Sequence, residues 1–402
     1  MKFKYKAQNK GGQLQQGIVE ASSTRSAKEL LIQNGLSIVS LDEIKEVPLI
    51  SSLLRIWEGV RPKEFVIFAR QLSTLIDSKV PLLSALHSIA NQTENKYFAL
   101  KINSVIVDID GGSSLSEAMA KNPETFTQFY VNMVKAGEAS GTLQKALNDL
   151  ADNTEKNYEL TAKLRGAMYY PGFILGAMIV VGFVVMAFVM PKLLVILKES
   201  NVELPLQTKL LIAISDFMAN YWWAVGIAMI FGISGVMYYI KTDEGKKEFD
   251  QLILKIPIIK KILHNVYIAR FSENLSTLIQ SGLPITTALL ITSDVVGNHV
   301  YKEIIRESAE EIKKGGGIAD VLNKYEIIPP VVVQMVRVGE HTGRIEFTLS
   351  RVTKFYLAET DRMVKNFSTL IEPILMVILA VGVGLLVSAV LLPIYQVATS
   401  IT

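Results

Sequence analysis

Near the N-terminus apolar and polar residues alternate. KFKYKA (Lys2–Ala7) and LQQGIVE (Leu14–Glu20) flank a Gly11-Gly12 turn, and LSIVSLDEI follows from Leu36. A period of two marks strands, so a hairpin and a third strand are expected. Between them Ser22, Ser23 and Thr24 offer N-caps for a helix to Asn34, with Gly35 as its terminator. From Pro62 the rhythm becomes helical: Phe65, Phe68, Leu72, Leu75 and Ile76 fall on one face. Pro81 suits the first turn of a second helix, and Lys96–Ile109 reads as a third, stopped by Gly111-Gly112. Ser114 with Glu117 forms a capping box for a short fourth helix. A fifth spans Phe126–Ala136, and a sixth starts at Thr142. The pattern then loses its polar positions: residues 166–191, 217–240 and 371–396 carry no charge but Glu372. A bilayer crossing takes about 20 apolar residues, so each is a candidate span.

The expected organisation is a small β-β-α-β module at 1–47, a linker at 48–61, a helical bundle at 62–165 and a first span at 166–191. An outer loop at 192–216, a second span at 217–240, a second bundle at 241–370, a third span at 371–396 and an outer tail at 397–402 complete it. The fold class is therefore mainly α: an integral membrane protein with two duplicated cytoplasmic six-helix bundles, three transmembrane helices and a small N-terminal α+β module.

The duplication is written in the residues. VKAGEASGTL at 134–143 returns as VRVGEHTGRI at 336–345, so that Gly137, Glu138 and Gly141 match Gly339, Glu340 and Gly343. Leu72–Ile76 recurs as Leu275–Ile279, IDGGSSLSEAM faces KKGGGIADVL, and Pro171 and Pro191 pair with Pro373 and Pro393. The period is too long for a solenoid array.

Composition fits this picture. Half of the 402 residues are hydrophobic, too many for an ordinary soluble chain. The net charge of +3 does not suggest a nucleic-acid partner, and the absence of cysteine excludes disulfides, thiol catalysis and cysteine-held metals. Lys163 and Arg165 precede the first span, Lys241, Lys246 and Lys247 follow the second, and Arg362 and Lys365 precede the third. By the positive-inside tendency these flanks and the N-terminus are cytoplasmic. MKFKYKAQNKGG has no apolar core of signal-peptide type. Trp222 and Trp223 open the second span as an interfacial belt. Gly172, Gly176, Gly182, Gly382 and Gly384 allow close helix packing within the spans.

Reactive chemistry is missing. His87, His264, His299 and His341 lack metal-ligand spacing, and there is no phosphate-binding loop, HExxH or GxSxG. No cofactor is expected, and no metal. Glu138, Asp149 and Asp152, with Glu155 and Glu159 further along, form a weak divalent-cation candidate whose plainer reading is a solvated acidic face. Tyr170-Pro171 and Glu372-Pro373 mark the membrane boundary of the first and third spans. For the repeated Gly-Glu corner two readings stand. In one, Gly137 ends a helix in the left-handed region, Ser140 and Thr342 cap the next, and Glu138 and Glu340 lie near that helix's N-terminus. In the other, Gly137, Glu138, Gly141, Gly339, Glu340 and Gly343 face a partner or the paired domain.

A beginning of the form F-x-Y-x-A, two helical domains with F-x-x-x-L-x-x-L, a repeated G-E-x-[ST]-G, Tyr170-Pro171 and Glu372-Pro373, in this order from Lys2 to Gln396, together resemble the type II secretion system protein F family. That family includes the inner-membrane platform proteins of type IV pili. The resemblance implies a multi-pass inner-membrane platform without enzymatic activity of its own. It also implies a homo-oligomer in the lipid bilayer, in contact with a cytoplasmic hexameric ATPase, pilin or pseudopilin subunits and other inner-membrane assembly proteins. A small-molecule transporter, a receptor-like scaffold and a membrane-bound enzyme are the competing readings. Parallel repeats with one span each leave too few helices for a midplane transport site.

Overall fold

The computed structural model describes residues 2–8, 14–20, 28, 37–43, 59–191 and 206–400. The chain divides into two units, Met1–Val60 and Arg61–Thr402. In the first, β1 (Lys2–Gln8), β2 (Leu14–Glu20) and β3 (Ser37–Glu43) form a sheet in the order β2-β1-β3. Both pairings are antiparallel, with Tyr5 opposite Gly17 and Leu41 and an irregularity at Lys6/Ala7. Of the helix expected at Ser22–Asn34 only Lys28, helical, is described; the rest of it and residues 44–58 lie outside the described residues.

The second unit is helical. Its first copy runs α1 (Pro62–Asp77), α2 (Leu82–Gln92), α3 (Lys96–Asp110), α4 (Leu115–Ala120), α5 (Gln128–Ser140) and α6 (Leu143–Val184). A π-helical turn, Val185–Val189, follows, and then α7 (Leu206–Lys241). The second copy has α8 (Asp243–Ile253), α9 (Pro257–Gln280), α10 (Ile285–Val295) and α11 (His299–Lys313). It ends in α12 (Ile318–Leu322), α13 (Pro330–Thr342) and α14 (Ile345–Ser400). The helix α7 begins inside the stretch expected to be an outer loop, and α8 has no counterpart among the described residues of the first copy.

The helix ends follow from local chemistry. Ser114 accepts from the Glu117 N–H at 3.2 Å while its own N–H donates to Glu117 at 3.1 Å, the capping box expected of this pair. Asn95 and Asn298 cap α3 and α11 in the same way: Asn95 accepts from Tyr97 at 3.0 Å and Asn298 from Val300 at 2.9 Å. The first core gathers Phe65, Phe68, Phe98 and Phe126, all buried; their centroids lie within 5.3–6.3 Å, spacing that suits offset and edge-on ring packing. At the matching places the second copy has Ile268, Phe271, Tyr301 and Ile328. Tyr301 donates or accepts across 2.6 Å to His264 Nδ1.

Among the described residues three helices are long and apolar enough to cross a membrane, at Leu143–Phe188, Asn220–Lys241 and Ile345–Gly384. Their apolar side chains stand exposed: Phe173 and Phe231 at 74% and Tyr238 at 76%. A lipid environment suits that face. Trp222 and Trp223 are exposed at the start of their span, and Tyr221 just before them leaves helical geometry. Pro171 lies within α6. Beyond the helix's own adjacent backbone, no atom of the described residues lies within 4 Å of where a Cβ would stand on Gly172, Gly176, Gly182, Gly382 or Gly384, so their expected close packing is not made within this chain's described residues.

Candidate functional site

The Gly-Glu corner is an intramolecular joint in both copies. Helix α5 continues past Gly137 to Ser140, and the left-handed residue is Gly141 (φ 69°), as Gly343 is after α13 (φ 65°). The expectation for Gly137 is thus corrected: the second glycine of the motif closes the helix. Thr142 N donates to Gly137 O at 2.8 Å and Gly141 N to Glu138 O at 3.2 Å, and Arg344 and Gly343 repeat both bonds, the pairing that completes a helix end. The first glycine is needed for another reason. A Cβ on Gly137 would stand 2.5 Å from Ala146 Cβ, and one on Gly339 would stand 2.3 Å from Thr348 Oγ1 and 2.8 Å from Ile345 Cα. The hairpins α5–α6 and α13–α14 close on these bare backbones.

Ser140 and Thr342 do not cap the next helix. Their hydroxyls donate back to Ala136 O and Val338 O, each at 2.7 Å, the carbonyl one turn earlier being nearer. The glutamates do serve a helix N-terminus, though not the one that follows them. Glu138 accepts from the backbone N–H of Leu115 at 2.7 Å and of Ser116 at 3.3 Å, and from the Ser116 hydroxyl. Glu340 accepts from Ile318 N and, at 3.2 Å, from Ala319 N. A carboxylate is well placed on the free N–H groups of α4 and α12.

The acidic string on α6 is dispersed. Arg70 holds Asp152 at 2.7 Å and also Glu155. Asp149 Oδ2 is buried, and burial lifts this carboxyl above its ordinary range. Among the described residues no group of three or more His, Asp or Glu is placed to hold a metal ion, and of the cation candidates Glu138, Asp149 and Asp152 the first is engaged by the start of α4 and the last by Arg70.

The membrane-boundary residues do come together. Gly166, Ala167, Tyr170 and Pro171 on α6 and Ile371 and Glu372 on α14 line one cleft of about 310 Å³. Tyr170 and Glu372 are repeat equivalents, so the cleft lies between matching points of the two copies. Pro373 follows on the same helix.

A polar seam beside this cleft is not announced by any motif in the chain. Helix α6 packs against α9 and α14. Asn153 Nδ2 donates to Asn274 Oδ1 at 3.1 Å, both residues buried. Arg270 donates to Thr161 Oγ1 at 3.1 Å, and burial lowers its pKa. Lys156 pairs with Glu273 at 2.8 Å and Lys163 with Asp361 at 2.9 Å. Polar residues along α6 (Asn153, Lys156, Thr161, Lys163) are the available signal, but a solvated helix face looks the same. Asn153→Leu is expected to lower stability by about 1–3 kcal/mol, since it strands the Asn274 carbonyl. Thermal unfolding of the detergent-solubilised protein should then recover most of the loss in the double variant Asn153→Leu/Asn274→Leu.

The fold and joints define a class: a membrane protein made of a duplicated helical unit, each copy ending in a helix that runs on into a span. The model of the family described as type II secretion system (T2SS), protein F matches residues 68–191 and 271–393, and that of the family's N-terminal domain matches residues 1–42. The chain belongs to the type II secretion system protein F family. It is 34% identical to the type IV pilus assembly protein PilC of Thermus thermophilus, over 98% of each chain. It is 31% identical to the type IV pilus assembly protein TapC of Aeromonas hydrophila, over 98% of this chain and 95% of the other. With the type II secretion system protein F of Pseudomonas aeruginosa it shares 27% identity, over 98% of this chain and 97% of the other. Three apolar helices and this family make it an inner-membrane protein of the pilus and secretion platform class.

Proposed function

We propose that this chain couples a cytoplasmic hexameric ATPase to the extraction and assembly of pilin or pseudopilin subunits. Each copy acts as a cytoplasmic six-helix bundle, the N-terminus lies in the cytoplasm, and the chain works as a homo-oligomer beside other assembly proteins. ATP is hydrolysed by the partner. The observation that carries the reading is the continuity of α6 and α14 from bundle to span, with the two tied by the Lys163–Asp361 ion pair. A push on either bundle then reaches both spans. The Tyr170–Glu372 cleft between those spans is the surface offered to a subunit at the membrane boundary.

Mild-detergent affinity purification of the tagged chain, with mass spectrometry, tests this. Recovery of a secretion-type ATPase and single-span pilins is expected; a clean oligomer without either, under conditions that preserve other membrane complexes, overturns it. Topology is checked separately, because the chain has no cysteine of its own. In spheroplasts, Ser200→Cys should react with an impermeant maleimide, and Lys28→Cys and Lys247→Cys should react only after lysis. Labelling of Lys247→Cys in intact spheroplasts reverses the orientation.

A further inference from the structure

Besides α8, the two copies differ at the start of α9. Helix α1 starts at Pro62, whose equivalent at the 203-residue offset is Asn265, yet α9 already starts at Pro257. The added turns carry Lys260, Lys261 and His264, and Lys255 sits in the turn before them. At the same offset the first copy has Trp57, Glu58 and Arg61 in place of Lys260, Lys261 and His264. The side chains of these turns are therefore not shared with the first copy.

These residues line a cavity of about 630 Å³, within the usual size of a small-molecule site. Val300 and Ile327 give it an apolar wall, and among the described lining residues Glu326 is the one carboxylate. Among the described residues none of the three lysines has a carboxylate within ion-pair distance, whereas Lys156, Lys313 and Lys324 elsewhere are paired. The placement is unfavourable by itself. Positive charge gathers at the start of α9, the end of a helix where its dipole repels cations, and like charges crowd one another. Burial, then the Lys260 charge, lowers the pKa of His264. An anion in the cavity relieves each of these costs.

We propose that this cavity, bounded by Lys255, Lys260, Lys261 and His264, binds a phosphoryl group carried on a partly apolar body. Lysine ammonium groups on flexible stems suit phosphate oxygens as point charges, and the Val300–Ile327 wall takes the apolar part. A nucleotide and an acidic phospholipid headgroup share this chemistry.

The test uses the full-length protein. In detergent, ATP is titrated by calorimetry; in nanodiscs of phosphatidylcholine with or without phosphatidylglycerol, native mass spectrometry reads retained lipid. The variant Lys260→Gln/Lys261→Gln is compared with Lys246→Gln/Lys247→Gln, which removes equal charge outside the cavity, and with Lys260→Arg/Lys261→Arg, which keeps it. A tenfold or greater loss of ATP affinity in the first variant only identifies the soluble source. Loss of retained phosphatidylglycerol in the first variant only identifies the lipid source. The arginine variant should bind within about threefold of the parent, as phosphate binding by charge implies. Binding of neither probe by the parent overturns the proposal, and so does equal loss in both glutamine variants.

Discussion

Gly339→Val should loosen the second copy at its α13–α14 hairpin and remove most of the folded protein from the membrane. The added Cβ has no free direction, because Thr348 Oγ1 and the Ile345 Cα stand 2.3 and 2.8 Å from it. Thr348 is buried, and its hydroxyl is committed to Ile345 O at 3.0 Å, so it does not swing aside. The backbone of Ile345 has to move, and with it the start of the helix that becomes the third span. Overpacking of this kind costs about 3 kcal/mol. Gly339→Ala should lose less, because alanine regains about 0.5–1 kcal/mol of helix propensity. Gly343→Ala, in open space but left-handed, should cost about 1–2 kcal/mol. Membrane abundance and thermal unfolding in detergent should rank valine at 339 as the worst of the three. If Gly339→Val matches the parent in both, the close approach of the two helices is not what that glycine provides.

Glu340→Ala is expected to come next. It strands the N–H groups of Ile318 and Ala319 at the start of α12. Bonds to a charged acceptor contribute about 1.5–3 kcal/mol. Glu340→Gln keeps one acceptor and should lose roughly half of that. Glu138→Ala should behave likewise through Leu115 and Ser116. Thermal unfolding, read beside assembly of the fibre, separates the two roles open to these residues. Unchanged stability with lost assembly would make the glutamates partner contacts; matched losses make them joints.

Much of this was legible in the residues, for physical reasons that can be stated. Chain-local chemistry shows through: the Ser114–Glu117 box, the charge-free runs and the 202-residue echo of Gly-Glu each lie in a few neighbouring residues. The corner itself was half legible. G-E-x-[ST]-G announces a helix end, but two glycines compete for the left-handed place, and the distance that settles it is to Ala146 or Thr348, on the next helix. Glu138 was rightly read as wanting a helix N-terminus. Which helix depended on packing that brings α4 back against α5. The Asn153–Asn274 seam joins residues 121 apart in sequence, and nothing in either neighbourhood names the other. The partner of Asp152 and Glu155 is hidden for the same reason, since Arg70 lies far upstream.

Helix α14 has 56 residues, which at 1.5 Å each make it about 84 Å long. The hydrocarbon layer is about 30 Å thick, so most of the rod stands outside it. Such a rod is a lever arm. A tilt of about 6° about its membrane end sweeps the other end through about 9 Å, given that length. Small motions at the bundle and large ones at the bilayer, or the reverse, are set by where the rod is held. On the proposed coupling, the seam to α6 near Asp361 would serve as the fulcrum, and moving it along the helix would change the gain without changing any contact at either end.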